Sequence, residues 1–265
     1  MLEGTIGEDQ MTIRELYTLL ENKLPRALSC EWDNDGLMCC PNDQRTVRRV
    51  LVALDVTDAI VTRAIEENYD LIVSHHPLIF RPIKAVATGE YVADKVIRLL
   101  LSGVSVMSFH TRLDAVTGGV NDVLADRLGL LDVTPFGPDG EAIGRIGTLP
   151  SPMSAEAFAT LVKNVTGAPY VQFSDAGIPA LRVALLGGGG ADDLPAARAA
   201  GADTYLTGEL KHDQLTEAPD RGMNLVMGGH FYTENPVCER IRELLLEADN
   251  TLAVELADSN PVKFI

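Results

Sequence analysis

VRRVLVALDVTDAIVTRAIEENYDLIVSHHP (47–77) is the stretch whose reading decides the fold. Its first part, VRRVLVALD, is β-branched and apolar and ends at Asp55, as a buried strand does. TDAIVTRAIEEN then shows helical spacing, with Thr57 or Asp58 placed to cap its first turn. DLIVS returns to strand composition and stops at Ser74, before two adjacent histidines and a proline. Strand alternating with helix is the pattern expected for α/β architecture.

The same alternation continues in both directions. MTIRELYTLLENKL reads as a helix upstream. YVADKVIRLLLSG is a helix stopped by Gly103, VSVMSF a strand, and GVNDVLADRLG a helix with Gly129 as its stop. Periodicity fades across LLDVTPFGPDGEAIGRIGTLPSP, where Gly and Pro accumulate, and a module boundary is expected there. Beyond it, SAEAFATLVKNVTG is a helix capped by Ser154, LRVALLGGGG a strand entering a glycine run, and DDLPAARAAG a helix. ADTYLTG and MNLVMGG are strands, ENPVCERIRELLLEA a helix and LAVELAD a closing strand. The fold class is α/β, and both halves repeat strand, polar turn, helix and strand without a residue-level repeat.

Composition narrows the function. With 46% hydrophobic and 23% charged residues among 265, the chain is globular and long enough for one large domain or two ordinary ones. A formal charge of −16 argues against general nucleic-acid binding or an anionic membrane surface. The charge does not bar an anionic substrate, because a metal ion reverses the sign locally. Cys30, Cys39, Cys40 and Cys238 show no CxxC spacing, which disfavours a zinc ribbon and suits reduced thiols in the cytoplasm. The opening MLEGTIGEDQ has no apolar core and is expected to be an extension ahead of the first helix, not a signal peptide. Apolar runs such as VIRLLLSGVSVM are too short to span a membrane.

Four of the five histidines fall in three segments just past predicted strand ends: SHHP (74–77), FHTRLDAVTGGVND (109–122) and GGHFYTENP (228–236). In open α/β sheets, ligands gather at the carboxyl ends of strands. Pro77 favours an extended His76, so the adjacent rings should diverge and could serve different ions. His110 and Asp114 would share a face if a helical turn begins there, and the same holds for His230 and Glu234. A carboxylate such as Glu234 or Asp114 can bridge two cations about 3.5–4 Å apart. His75, His76, Asp114, His230 and Glu234 together offer mixed nitrogen and oxygen donors, better suited to Zn, Mn, Fe or Co than to Mg or Ca. Spacing leaves open whether the three segments meet.

Gly187 to Gly190 lie between strand and helix without the GK[ST] of a phosphate-binding loop, and Asp192 and Asp193 oppose an anion there. Tight packing or a turn is the expected role. Trp32 to Leu37 reads as structural, with Asn34 and Gly36 shaping a turn.

EWDNDGL (31–37), DLIVSHHPLIF (70–80), SFHTRLDAVTGGVND (108–122), GADTYLTGELKHD (201–213) and GGHFYTE (228–234) together resemble the GTP cyclohydrolase 1 type 2 homologues, the Ngg-interacting-factor-three-like proteins. The resemblance implies two related, intertwined α/β modules with a dinuclear metal site at strand ends in the cleft between them. The modules are taken as 1–130 plus 225–265, and 131–224. It also implies that His75, His76, Asp114, His230 and Glu234 hold two divalent ions, with Glu234 bridging, and that the chain assembles as a homohexamer. His110 matches a family position. Its expected role is an outer partner of the ligands or a proton shuttle, with a third nitrogen ligand as the alternative. Glu209, Lys211 and His212 match a family segment and are either substrate contacts or structural. The expected activity is metal-dependent hydrolysis, of a nucleotide such as GTP by the family name or of a phosphoester. The competing expectation is a non-catalytic metal-binding assembly or regulatory protein.

Overall fold

The computed structural model describes residues 10–138 and 142–265. The expected N-terminal extension lies, but for its last residue, outside them. The chain forms two compact units: residues 1–26, 34–110 and 241–259, and residues 27–33, 111–240 and 260–265.

In the first unit, α1 (Ile13–Lys23) opens with a capping box. The Thr12 hydroxyl accepts the Glu15 N–H at 3.2 Å, and the Glu15 carboxylate accepts the Thr12 N–H at 2.9 Å. Ile13, Leu16 and Leu20 make its buried face. The sheet contains β1 (Gly36–Cys39), β2 (Arg49–Ala53), β3 (Leu71–Ser74), β4 (Ser105–Ser108) and β11 (Ala253–Leu256), in the order β1-β4-β3-β2-β11. All pairs are parallel except β1 with β4. Helices α2 (Asp58–Glu66) and α3 (Tyr91–Ser102) are the crossovers, and Thr57 is the N-cap of α2. Ile60, Val61 and Ala64 of α2 and Val96 and Leu99 of α3 pack on Leu51, Ala53, Ile72 and Val106. The alternate residues Val50, Val52, Leu71, Val73 and Met107 are buried too, so both faces of the sheet are covered. That is why these strands read as continuous apolar runs.

Asp70, one residue ahead of β3, ties two strand starts together. Its carboxylate accepts the N–H groups of Arg48 and Arg49 at 2.9 and 3.0 Å and pairs with Arg45 at 2.6 Å. Asp70→Ala is expected to lower stability by about 1–2 kcal/mol, because the part-buried donors at two strand starts lose their common acceptor. Urea unfolding checks this as a lowered midpoint at constant slope.

The second unit contains α4 (Thr111–Ala115), α5 (Val120–Leu128), β5 (Leu131–Phe136), β6 (Gly144–Met153), α6 (Ala155–Thr166), β7 (Gln172–Ser174), β8 (Ala180–Leu186), α7 (Leu194–Ala199), β9 (Thr204–Thr207), α8 (His212–Asp220), β10 (Asn224–Met227) and α9 (His230–Glu234). Helix α10 (Val237–Ala248) is divided between the units at residue 240. The sheet order is β5-β6-β8-β9-β10-β7, parallel across β8, β9 and β10 and antiparallel at the flanks. Successive strand residues face opposite layers. Val183, Leu185, Leu206 and Val226 pack with α5 and α6, whereas Ala184, Leu186, Tyr205 and Leu225 pack with α7 and α8. Asp203 repeats the role of Asp70, accepting the Leu181 N–H at 3.0 Å and the Arg182 N–H at 2.7 Å.

Two expectations need correction. The Gly- and Pro-rich stretch after residue 130 is no break, since β5 and β6 lie in it and β6 is an interior strand. Its glycines answer close neighbours: a Cβ on Gly144 would stand 2.3 Å from the Phe136 ring. The module limits also shift. Residues 111–130 and 225–240 belong to the second unit, because Leu124 and Leu128 of α5 pack with Phe158 and Val183, and β10 pairs with β9.

Among the described residues no helix is long and apolar enough to cross a membrane. None of the four cysteines forms a disulfide. Burial, with Cys40 adjacent, pushes the Cys39 thiol up to about 11, which keeps it protonated and unreactive at neutral pH.

Candidate metal centre

In the first unit, strand register assembles three imidazoles. Ser74 of β3 pairs with Ser108 of β4, and their hydroxyls hydrogen-bond at 2.8 Å. Both strands end there, so His75 and His76 leave one strand level with Phe109 and His110 leaving the next. The His75 ring centroid lies 5.0 Å from that of His76 and 5.3 Å from that of His110. Each of the three offers a nitrogen, and these atoms lie within 4.8 Å of one another.

The backbone bends at residues 75 and 76, and the adjacent rings take different partners at Nδ1 while both offer a nitrogen to one group with His110. His75 is fully buried, and its Nδ1–H donates to the Phe109 carbonyl at 3.0 Å. His76 Nδ1–H donates to the Asp55 carboxylate at 2.7 Å. Asp55 is itself held by Ser259, whose hydroxyl accepts the Asp55 N–H at 3.1 Å and donates to its carboxylate at 3.3 Å. With Nδ1 carrying the proton, neutral His75 and His76 present the lone pair of Nε2. Asp55→Ala is expected to weaken metal affinity about tenfold or more by releasing the His76 ring. Competition with a chelating indicator measures it, and Asp55→Asn restores part of the loss.

Within the second unit, two carboxylates and an imidazole lie close together. Helix α9 places His230 and Glu234 one turn apart, with Nε2 to Oε2 at 3.1 Å. That separation is one that two donors on a single ion also adopt. His230 Nδ1 lies 3.1 Å from the Glu209 carboxylate. Asp114 stands on α4, and its carboxylate and that of Glu234 come within 4.8 Å. Both are buried, at 7% and 5% exposure. Two buried carboxylates this close repel unless a proton or a cation stands between them, so the donor set fits a divalent ion.

The glycine run is shaped around Glu234. Gly188 adopts φ +65°, and a Cβ there would fall 1.9 Å from Glu234 Oε1 and 3.1 Å from His230 Nε2. Its backbone is pinned: its N–H donates to the Thr233 hydroxyl at 3.0 Å, and its carbonyl accepts the Gly208 N–H at 2.9 Å. Tight packing or a turn is the role expected from the sequence, and close packing is what Gly188 shows.

Several positioning residues escaped sequence reasoning. Buried Asn121 donates to the carbonyls of Asp114 and Ile143 and accepts the Gly187 N–H at 2.8 Å, tying α4 to the glycine run. Gly119 is required because a Cβ would fall 1.9 Å from the Leu113 carbonyl oxygen. Asp35 accepts the His110 N–H at 3.2 Å, while Asn34 donates to the Ile79 carbonyl. Within the second unit, Asp33 accepts both the N–H and the hydroxyl of Thr111, at 3.1 and 2.6 Å. Motif membership was the only signal for these residues. Among the residues expected to touch substrate, Glu209 is the partner of His230, whereas Lys211 and His212 are exposed at the start of α8.

The family model Duf34/NIF3 (NGG1p interacting factor 3) matches residues 11–261. The chain belongs to the NIF3 family. A NIF3-family relative from Nostoc sp., a GTP cyclohydrolase 1 type 2 homolog, is 38% identical over 240 residues, covering 89% of this chain and 91% of its own. The NIF3 homolog of Schizosaccharomyces pombe is 29% identical and covers 94% and 96%. A Staphylococcus aureus protein of known crystal structure superposes with a TM-score of 0.87 at 27% identity, covering 97% of this chain and all of that one. The SHHP, HTxxD and GHxxTE segments of this NIF3-family chain therefore carry His, Asp and Glu groups able to hold metal ions.

Proposed function

We propose that this NIF3-family protein is a dinuclear metal-dependent hydrolase acting on a nucleotide such as GTP or on a phosphoester. In this reading His75, His76, Asp114, His230 and Glu234 hold two divalent ions of Zn, Mn, Fe or Co, with Glu234 bridging them. The observation that carries it is the matched outer contacts of the histidines. His75, His76 and His230 each have Nδ1 engaged by a carbonyl or a carboxylate, the arrangement that orients metal-ligating imidazoles. When bound, two such ions lower the pKa of water and polarise a substrate oxygen or ring. The chain's own residues fix donor orientation through Phe109, Asp55 and Glu209. In this reading His110, beside the pair, carries a proton to the leaving group.

Elemental analysis after reconstitution is expected to find about two ions per chain, and turnover of GTP or of a model phosphoester. Fewer than about one ion per chain overturns the centre. Two ions without turnover across nucleotides and phosphoesters overturns the hydrolase. The proposed assembly is a homohexamer, which a sedimentation mass near six chains would support.

A further inference from the structure

The segment following the histidine pair carries chemistry that metal binding does not use. From Leu71 to Gly89 the chain has no carboxylate, although it holds 38 acidic residues overall, and that span includes Arg81 and Lys84. Residues 77–90 form neither helix nor strand, and Phe80, Arg81 and Lys84 are all exposed. Among the described residues neither cation makes an ion pair or a side-chain hydrogen bond.

Phe80 is nonetheless set in a built position. Its ring lies 5.8 Å from that of His110, nearly perpendicular at 87°, and stays 43% exposed. Asn34 holds the carbonyl just before it, and the next residue, Asp35, holds the His110 backbone. Two consecutive residues thus anchor both the aromatic ring and the imidazole beside it. An exposed aromatic face next to reactive groups, flanked by cations in an otherwise acidic chain, fits a ligand that is planar at one end and anionic at the other.

We propose that Phe80, Arg81 and Lys84 are the substrate-recognition element of this site. Phe80 stacks on a planar heteroaromatic base, and Arg81 and Lys84 bind the phosphates of the same molecule. This deepens the hydrolase reading and rests on it, narrowing its substrate from nucleotide or phosphoester to nucleotide. Stacking accepts any base face, so the element selects nucleotides as a class and not guanine in particular. The acid-free span gives a polyanion an approach that the chain as a whole, with a formal charge of −16, opposes.

The test is calorimetric titration of the metal-reconstituted full chain at low ionic strength with three probes: GTP, guanosine and inorganic triphosphate. The double variant Arg81→Ala/Lys84→Ala is expected to bind GTP and triphosphate about tenfold or more weaker and guanosine unchanged. Phe80→Ala is expected to bind GTP and guanosine about tenfold weaker and triphosphate unchanged, with Phe80→Trp retaining affinity. All three side chains are exposed, so melting temperatures should match wild type and exclude misfolding. The inference is overturned if both alanine variants bind GTP as wild type does, or if wild type carrying two ions binds none of the probes. Metal content of the same samples separates this from the hydrolase reading. Too few ions with wild-type probe selectivity sinks the metal centre and leaves the recognition element standing.

Discussion

Glu234→Gln is expected to reduce the metal content of reconstituted protein from about two ions per chain to one or fewer, and hydrolysis by at least about a hundredfold. The argument rests on charge and position. Glu234 is 5% exposed, sits 3.1 Å from His230 Nε2, and lies within 4.8 Å of the Asp114 carboxylate. Glutamine keeps the shape but removes the charge, and its NH₂ cannot bridge two cations. The same exchange relieves repulsion from Asp114, so the metal-free variant should melt no lower than metal-free wild type. Loss of metal with unchanged or raised apo stability is the signature of a ligand. Full metal content in the variant would remove Glu234 from the centre.

Gly188→Ala is expected to lower metal content as far as Glu234→Gln does, and to cost about 2 kcal/mol or more of stability as well. The added Cβ would stand 1.9 Å from Glu234 Oε1 and 2.7 Å from its Cδ. The backbone cannot swing away, because the Thr233, Thr207 and Gly208 hydrogen bonds all hold residue 188. A φ of +65° adds left-handed strain of about 1 kcal/mol. Gly189→Ala is the control. Residue 189 has φ −93°, and a Cβ there meets nothing within 4 Å, so that variant should bind metal and melt as wild type. Equal behaviour of the two alanines would show that the run is only a turn.

Much of the fold was legible because its signals are local. Thr57 and Ser154 are N-caps, and Gly103, Gly129 and Gly167 close helices with left-handed φ between 69° and 75°. Each acts within a few residues of its own position. The reading failed where a residue answers a distant neighbour. Gly144 and Gly147 look like breakers, yet they sit in β6 because Phe136 and Leu131 crowd them from β5. Asp70 and Asp203 each precede a strand and clamp the start of its parallel neighbour, a resemblance between the halves that residue identity hides.

The candidate site divides the same way. Residue type and strand-end position singled out the histidine pair, His110, Asp114, His230 and Glu234, because metal donors come from a short menu and loops at strand ends carry them. The roles of Asp55, Asn121 and Asn34, the last read only as shaping a turn, were not legible, since their bonds reach across 21, 66 and 45 residues of chain. By itself the sequence determined most of the element types, though not strands β1, β5, β6 and β7, together with the α/β class and the candidate donors, all set by nearest-neighbour sterics and side-chain chemistry. Only the tertiary structure decided the strand register that levels Ser74 with Ser108, the nitrogen each histidine presents, and the packing that makes Gly188 obligatory. Those depend on contacts between segments far apart in the chain, which exist only once the backbone has closed on itself.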